Sequence, residues 1–249
     1  MENAIHETAP AGKRFTGFSG STLKIIAILS MLIDHIGAAV LENGLMRSAY
    51  VQSSPALYDN IRSIDRILRM IGRPAFPIFC FLLVEGFLHT RNQKKYALRL
   101  FLFALISEIP FDLAIGRGLV VFEWQNVFFT LLIGLLVMMA ADHFSEKRWI
   151  QILIFLLGLI AGYLLHTDYD YKGVLLIEIL YLLRYDRRNQ CIAGAAACCW
   201  ELPAPLAFLP VYFYNGKRGI SMKYFFYWFY PVHLLILAGI GRYCLSLSV

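Results

Sequence analysis

The chain has 249 residues, of which 59% are hydrophobic and 16% charged, with a mean hydropathy of +0.60 and a formal net charge of +6. Soluble domains carry about 45–50% apolar and about 25% charged residues, so this composition excludes an ordinary water-soluble domain and describes a polytopic membrane protein. No basic stripe interleaved with aromatic residues lies outside the apolar runs, which excludes nucleic acid as a partner and leaves the lipid bilayer as the first one.

In chain order, a flexible polar tail is expected over 1–21, followed by a single transmembrane bundle over 22–249. Residues 22–41 form the first span. A run of about 20 apolar residues is long enough to cross a bilayer as one helix. It carries Lys24 near its start and the pair Asp34-His35 deep inside. An ionisable side chain at that depth costs about 3 kcal/mol or more, which marks the pair for a purpose. Eleven helical steps bring His35 back to within about 20° of the face of Lys24, roughly 16 Å along the axis. In the segment 58–72, Arg62, Arg66, Arg69 and the following Arg73 recur at steps of four, three and four. That spacing predicts a cationic amphipathic helix lying in the interface, suited to anionic lipid or to a phosphorylated ligand.

The second span covers 74–90 and carries Glu85, with His89 one turn on. The third covers 95–114, opened by Arg99 and closed by Glu108 and Asp112 around Pro110. The fourth runs over 124–141, entered through Asn126, and the featureless fifth over 149–165. A short loop holding Asp168 leads to a sixth span over 174–183 with Glu178. The seventh, 191–212, is expected to be one helix kinked by Pro203 and Pro205. The eighth, 223–247, carries Tyr230 and His233. The expected fold is therefore all-α, with about eight transmembrane helices plus the amphipathic helix. Lys and Arg in the short loops place both termini on the cytoplasmic side. The five cysteines sit in apolar runs and read as small buried residues rather than a disulfide framework.

So many ionisable groups inside spans imply a polar interior. Two functional classes use one. A carrier needs carboxylates that load and release ions, usually on repeated halves, and no half-repeat is visible. An intramembrane enzyme needs a base, an orienting carboxylate and a grip for a charged co-substrate. His35 suits the base, with Asp34 or Glu85 as orienter, and Lys24 with the arginines suits phosphate. Asn126 is a candidate oxyanion donor on its chemistry. A metal held by His35, His89, Asp34 and Glu85 is a third possibility that lacks a zinc-protease spacing, and none is expected.

Lys24 and His35 resemble the basic-x10-His motif of membrane acyltransferases, with lysine in place of that motif's arginine. Over roughly 20–240 the chain resembles the TraX family. The matching pieces are Leu23-Lys24-Ile25-Ile26-Ala27, Ile33-Asp34-His35-Ile36-Gly37, Gly72-Arg73-Pro74, Glu85-Gly86-Phe87, Arg91 and Arg99. Further on are Ser107-Glu108-Ile109-Pro110-Phe111-Asp112, Asn126-Val127-Phe128, Asp168-Tyr169 and Tyr230-Pro231-Val232-His233. The resemblance implies an integral-membrane acetyltransferase of the bacterial inner membrane, with acetyl-coenzyme A as donor. The acceptor it implies is the N-terminal amine of a conjugative pilin, with another peptide or a glycan as alternatives. Lys24, Arg73, Arg91 and Arg99 would then hold the donor. His35, Asp34, Glu85 and Asn126 would serve the chemistry, while Glu108, Asp112, Asp168, Tyr230 and His233 complete the polar core.

Overall fold

The computed structural model describes residues 17–246, apart from 117, 120, 122, 222 and the side chain of 223; the first sixteen residues of the expected tail lie outside the described residues. Among the described residues every regular element is a helix. The first, α1 (Gly20–His35), is capped by Ser19, whose hydroxyl accepts from the Thr22 N–H at 3.2 Å, and it continues in π turns through Ile36–Glu42. The end of the bundle where α1 begins is called the near end.

A short α2 (Ala49–Gln52) turns the chain into α3 (Pro55–Gly72) and α4 (Ala75–His89), which together return to the near end. Gly37 faces Asp65 and Arg69, and Gly72 faces Asp34, so α3 runs antiparallel to α1. Ser30 ties the two by donating to the Ile71 carbonyl at 2.6 Å. The arginine helix is therefore not a separate interfacial element. Arg62 and Arg66 remain exposed, while Arg69 and Arg73 turn inward onto Asp34. A buried carboxylate at membrane depth demands such a counter-charge.

The following helices α5 (Gln93–Phe111), α6 (Val127–His143), α7 (Arg148–Leu164) and α8 (Asp170–Leu182) alternate in direction. Asn43 donates to the Ala114 carbonyl at 3.0 Å, which places the ends of α1 and α5 together. Gly134 and Gly158 let Ile177 and Glu178 of α8 approach the neighbouring backbones. Apolar side chains fill the interior, among them Leu23, Phe81, Met138 and Leu180, yet Ile152, Leu156 and Ile160 of α7 are exposed. Apolar groups inside and outside together suit a bundle solvated by lipid.

The expected seventh span is where the structure departs most. Residues 191–212 do not form one helix. α9 (Arg187–Ala197) descends from the near end and stops. A 3-10 turn (Ala204–Ala207) and the short α10 (Phe208–Tyr212) then lead back. Arg187 at the entrance and Tyr214 at the exit lie side by side, 5.3 Å from guanidinium to ring centre. Pro203 and Pro205 fall in the turn, where they deprive a continuous helix of its hydrogen bonds. The stretch is a hairpin that enters and leaves by the same end. The last helix, α11 (Lys223–Ser246), consequently starts at the near end and leaves at the far one, where Gly241 packs on Ala39. The two described ends thus lie at opposite ends of the bundle, not at one.

By length and composition, three helical stretches among the described residues can cross a membrane: Gly20–Arg47, Pro55–His89 and Tyr224–Ser246. Val127–His143 and Arg148–Leu164 are apolar but shorter.

Candidate functional site

The near end opens into a cavity of about 670 Å³, within the usual range of about 300–1,000 Å³ for ligand sites. Its mouth carries four cations: Lys24 from α1, Arg91 from the turn between α4 and α5, Arg99 from α5, and Arg218 from the segment before α11. The lysine ammonium sits 5.3 Å from the centre of the Phe226 ring, and the Arg99 guanidinium 5.7 Å from that of Tyr96. Glu85 also lines the mouth, but Arg187 of the hairpin engages it at 3.1 Å, so it does not neutralise the other cations. Deeper in, the walls become apolar at Met31, Phe128 and Leu131 and reach Tyr230.

Tyr230 connects this cavity to a pair of histidines. Its ring stands edge-on to His35, with centroids 5.9 Å apart. The Nδ1 of His35 lies 2.6 Å from Nε2 of His233, and the two rings are within 7° of coplanar. The Nδ1 of His233 lies 2.6 Å from the Phe229 carbonyl. α1 and α11 pack side by side, and the face that carries Lys24 against Phe226 carries His35 against His233.

Beyond the histidines, toward the far end, stands a second charged group. Asp34 accepts from Arg69 and lies 3.9 Å from Arg73, which in turn pairs with Glu201 at 2.9 Å. Asp168, in the turn before α8, is solvent-accessible yet ringed by protein. Burial, with the Asp34 and Glu201 carboxylates, outweighs Arg69 and Arg73 and pushes its carboxyl up to about 7.

Lys24, Arg91 and Arg99 therefore meet at one cavity, with Tyr230 at its inner end. Arg73 lies apart from them, paired with Asp34 and Glu201. Asp34 does not orient His35, because its oxygens face the arginines of α3 and the partner of His35 is His233. Asn126 is not available as an oxyanion donor. It is fully buried, caps α6 by accepting from the Phe128 N–H, and donates to the Ala104 carbonyl and to Glu108. Glu108 is thereby a structural partner, and Asp112 accepts from the Val121 N–H at 2.8 Å. Glu85 holds the hairpin through Arg187. Sequence reasoning passed over Arg218, Arg187 and Glu201, each of which acts across a long chain separation that no local spacing records. No group of three or more metal-ligating side chains occurs among the described residues.

Comparison with known proteins agrees in extent with this bundle. The family model described as TraX protein matches residues 19–241. A similar protein, the probable fimbrial assembly protein FimC, serogroup H1, of Dichelobacter nodosus, is 33% identical over 253 aligned positions, covering 89% of this chain and 95% of that protein. No solved structure matches the chain.

Proposed function

This chain belongs to the TraX family, and on that footing we propose that it is an inner-membrane acetyltransferase that moves an acetyl group from acetyl-coenzyme A to an amine. The observation that carries the proposal is the continuous path from a cationic mouth, past apolar walls, to Tyr230 beside His35. Phosphates bind well to converging arginine and lysine side chains, and Lys24, Arg91, Arg99 and Arg218 would hold those of the donor. Tyr96, Phe226 and Tyr227 supply apolar and aromatic surface for its remainder.

Seven traverses and one re-entrant hairpin suit the bundle. The near end would be cytoplasmic, because Arg91, Lys94, Lys95, Lys147, Arg148, Arg184, Arg187, Arg188 and Lys217 gather there. That is the compartment of an acyl-coenzyme A. His35 acts as the base. It takes a proton from the acceptor amine as the nitrogen attacks the thioester carbonyl. The carbon–sulfur bond breaks, and the proton leaves on the released thiol. An amine is favoured as acceptor by the excess carboxylate of Asp34, Asp168 and Glu201 beyond His35. The relative's name makes a fimbrial or pilin subunit the candidate acceptor.

Binding is tested by thermal unfolding in detergent with and without acetyl-coenzyme A. A ligand at about 100 times its Kd stabilises by about 2.7 kcal/mol. The melting temperature is expected to rise in wild type and to rise less in Arg99→Ala. An unchanged melting temperature at millimolar acetyl-coenzyme A would remove the donor from the cavity.

A further inference from the structure

We infer that His233 is a positioning residue that holds His35 in its Nδ1–H form and leaves Nε2 as the nitrogen that accepts a proton. The argument starts at a carbonyl. The Phe229 oxygen can only accept, so the His233 Nδ1 that lies 2.6 Å from it carries the hydrogen. A neutral imidazole has one donor and one acceptor nitrogen, so the Nε2 of His233 is a lone pair. That lone pair lies 2.6 Å from Nδ1 of His35, which must therefore carry a hydrogen and donate it. Among the described residues the hydrogen bond of the His35 ring is made through Nδ1, which leaves Nε2 as the nitrogen open to a proton. The state of each ring is set by the hydrogen bond on its other side, and here the chain of constraints ends on the backbone.

Packing keeps the geometry in place. Phe229 lies face to face with His233 at 4.7 Å, and Tyr230 stands edge-on to both histidines, 5.8 Å from His233 and 5.9 Å from His35. His233 is buried. Neither ring can turn without losing an aromatic contact and a hydrogen bond. When His35 gains a proton on Nε2, its Nδ1–H still points at a neutral acceptor, so the cation that forms is hydrogen-bonded where it is needed. This is the orienting role that serine hydrolases give to a carboxylate, filled here by a second imidazole.

The catalytic consequence rests on the acetyltransferase reading; the tautomer does not. The test therefore has two arms. In the first, the chain labelled with ¹⁵N-histidine is studied by NMR in detergent without donor or acceptor, and His35 is assigned by its loss in His35→Gln. A pyrrole-like Nδ1 and a pyridine-like Nε2 are expected in wild type and in His233→Gln, whose amide oxygen can still accept. In His233→Leu the Nδ1–H form should no longer dominate. The opposite tautomer in wild type, or an unchanged spectrum in His233→Leu, overturns the inference whether or not the chain is an enzyme. In the second arm, kcat for thiol release is expected to fall about 100-fold in His233→Leu, the scale of a lost general-base contribution, with KM for acetyl-coenzyme A unchanged. His233→Gln should recover most of that loss. A His233→Leu enzyme within about threefold of wild type, or a folded glutamine variant no better than leucine, overturns the positioning role.

Discussion

Replacing Gly72 by alanine should destabilise the protein, whereas the same change at Gly239 should stabilise it. Both are glycines of membrane-facing helices, and helix propensity alone favours alanine by about 1 kcal/mol at each. At Gly72 a new Cβ would land on the Cβ, Cγ and Oδ1 atoms of Asp34. Asp34 cannot easily yield, since Arg69 and Arg73 hold its oxygens, and the Ser30 hydroxyl is bonded to the Gly72 carbonyl at 3.1 Å. Forcing an extra methyl into such a contact costs about 1–3 kcal/mol, and the deep overlap with a side chain held on both sides puts it at the upper end, which leaves a net loss of about 2 kcal/mol after the propensity gain. At Gly239 nothing lies within 4 Å of the added atom, so the full gain of about 1 kcal/mol is retained. For a chain of this size each kcal/mol moves the melting temperature by about 2–4 °C. Thermal unfolding in one detergent at one scan rate should show Gly72→Ala several degrees below wild type and Gly239→Ala a few degrees above. A Gly72→Ala protein that melts at or above wild type would refute the close approach of α3 to Asp34.

The proposed binding of the donor in the near-end cavity predicts that Lys24→Ala and Arg99→Ala each raise KM for acetyl-coenzyme A about fivefold, or about 1 kcal/mol after allowance for solvent at the mouth, with kcat within twofold. Steady-state thiol release checks both. Asn126→Ala should lower stability by about 1–2 kcal/mol through the lost cap, while the specific activity of the folded fraction stays within about threefold; a far larger loss of kcat would restore an oxyanion role. Asp168→Asn should raise the melting temperature above pH 7 and leave it unchanged near pH 4. The folded carboxyl is pushed up to about 7 from its ordinary 3.8, so the folded state binds more protons than the unfolded one and wild type loses stability as pH rises between those values.

The first span was legible because length, hydropathy and spacing all bear on one element. Lys24 and His35 were expected on one face, and both do face α11. Their functional neighbours were not legible. His35 and His233 are 198 residues apart, and no periodicity links them. The nearest carboxylate in sequence, Asp34, was the natural orienter, but on a helix consecutive side chains diverge by about 100°, and Asp34 turns to α3 instead. The arginine stripe of α3 satisfied the pattern of an interfacial helix, and that pattern is equally met when two of its members face a buried acid. Residues 191–212 are apolar and long enough for a crossing, and hydropathy cannot distinguish a crossing from a hairpin that returns. Pro203 and Pro205 were the available signal, read as a kink where they mark the turn. Asn126 was chosen for its chemistry, and its position at the start of α6, where a cap is needed, was the stronger constraint.

Release of free coenzyme A from acetyl-coenzyme A by the purified chain, with a peptide bearing a free N-terminal amine, tests the proposed acetyltransferase function most directly. Wild type is expected to release thiol in step with peptide that gains one acetyl group by mass, and His35→Ala to abolish both while melting like wild type. Neither thiol nor acetylated peptide from a cooperatively folded wild-type protein, or undiminished transfer by His35→Ala, would contradict it.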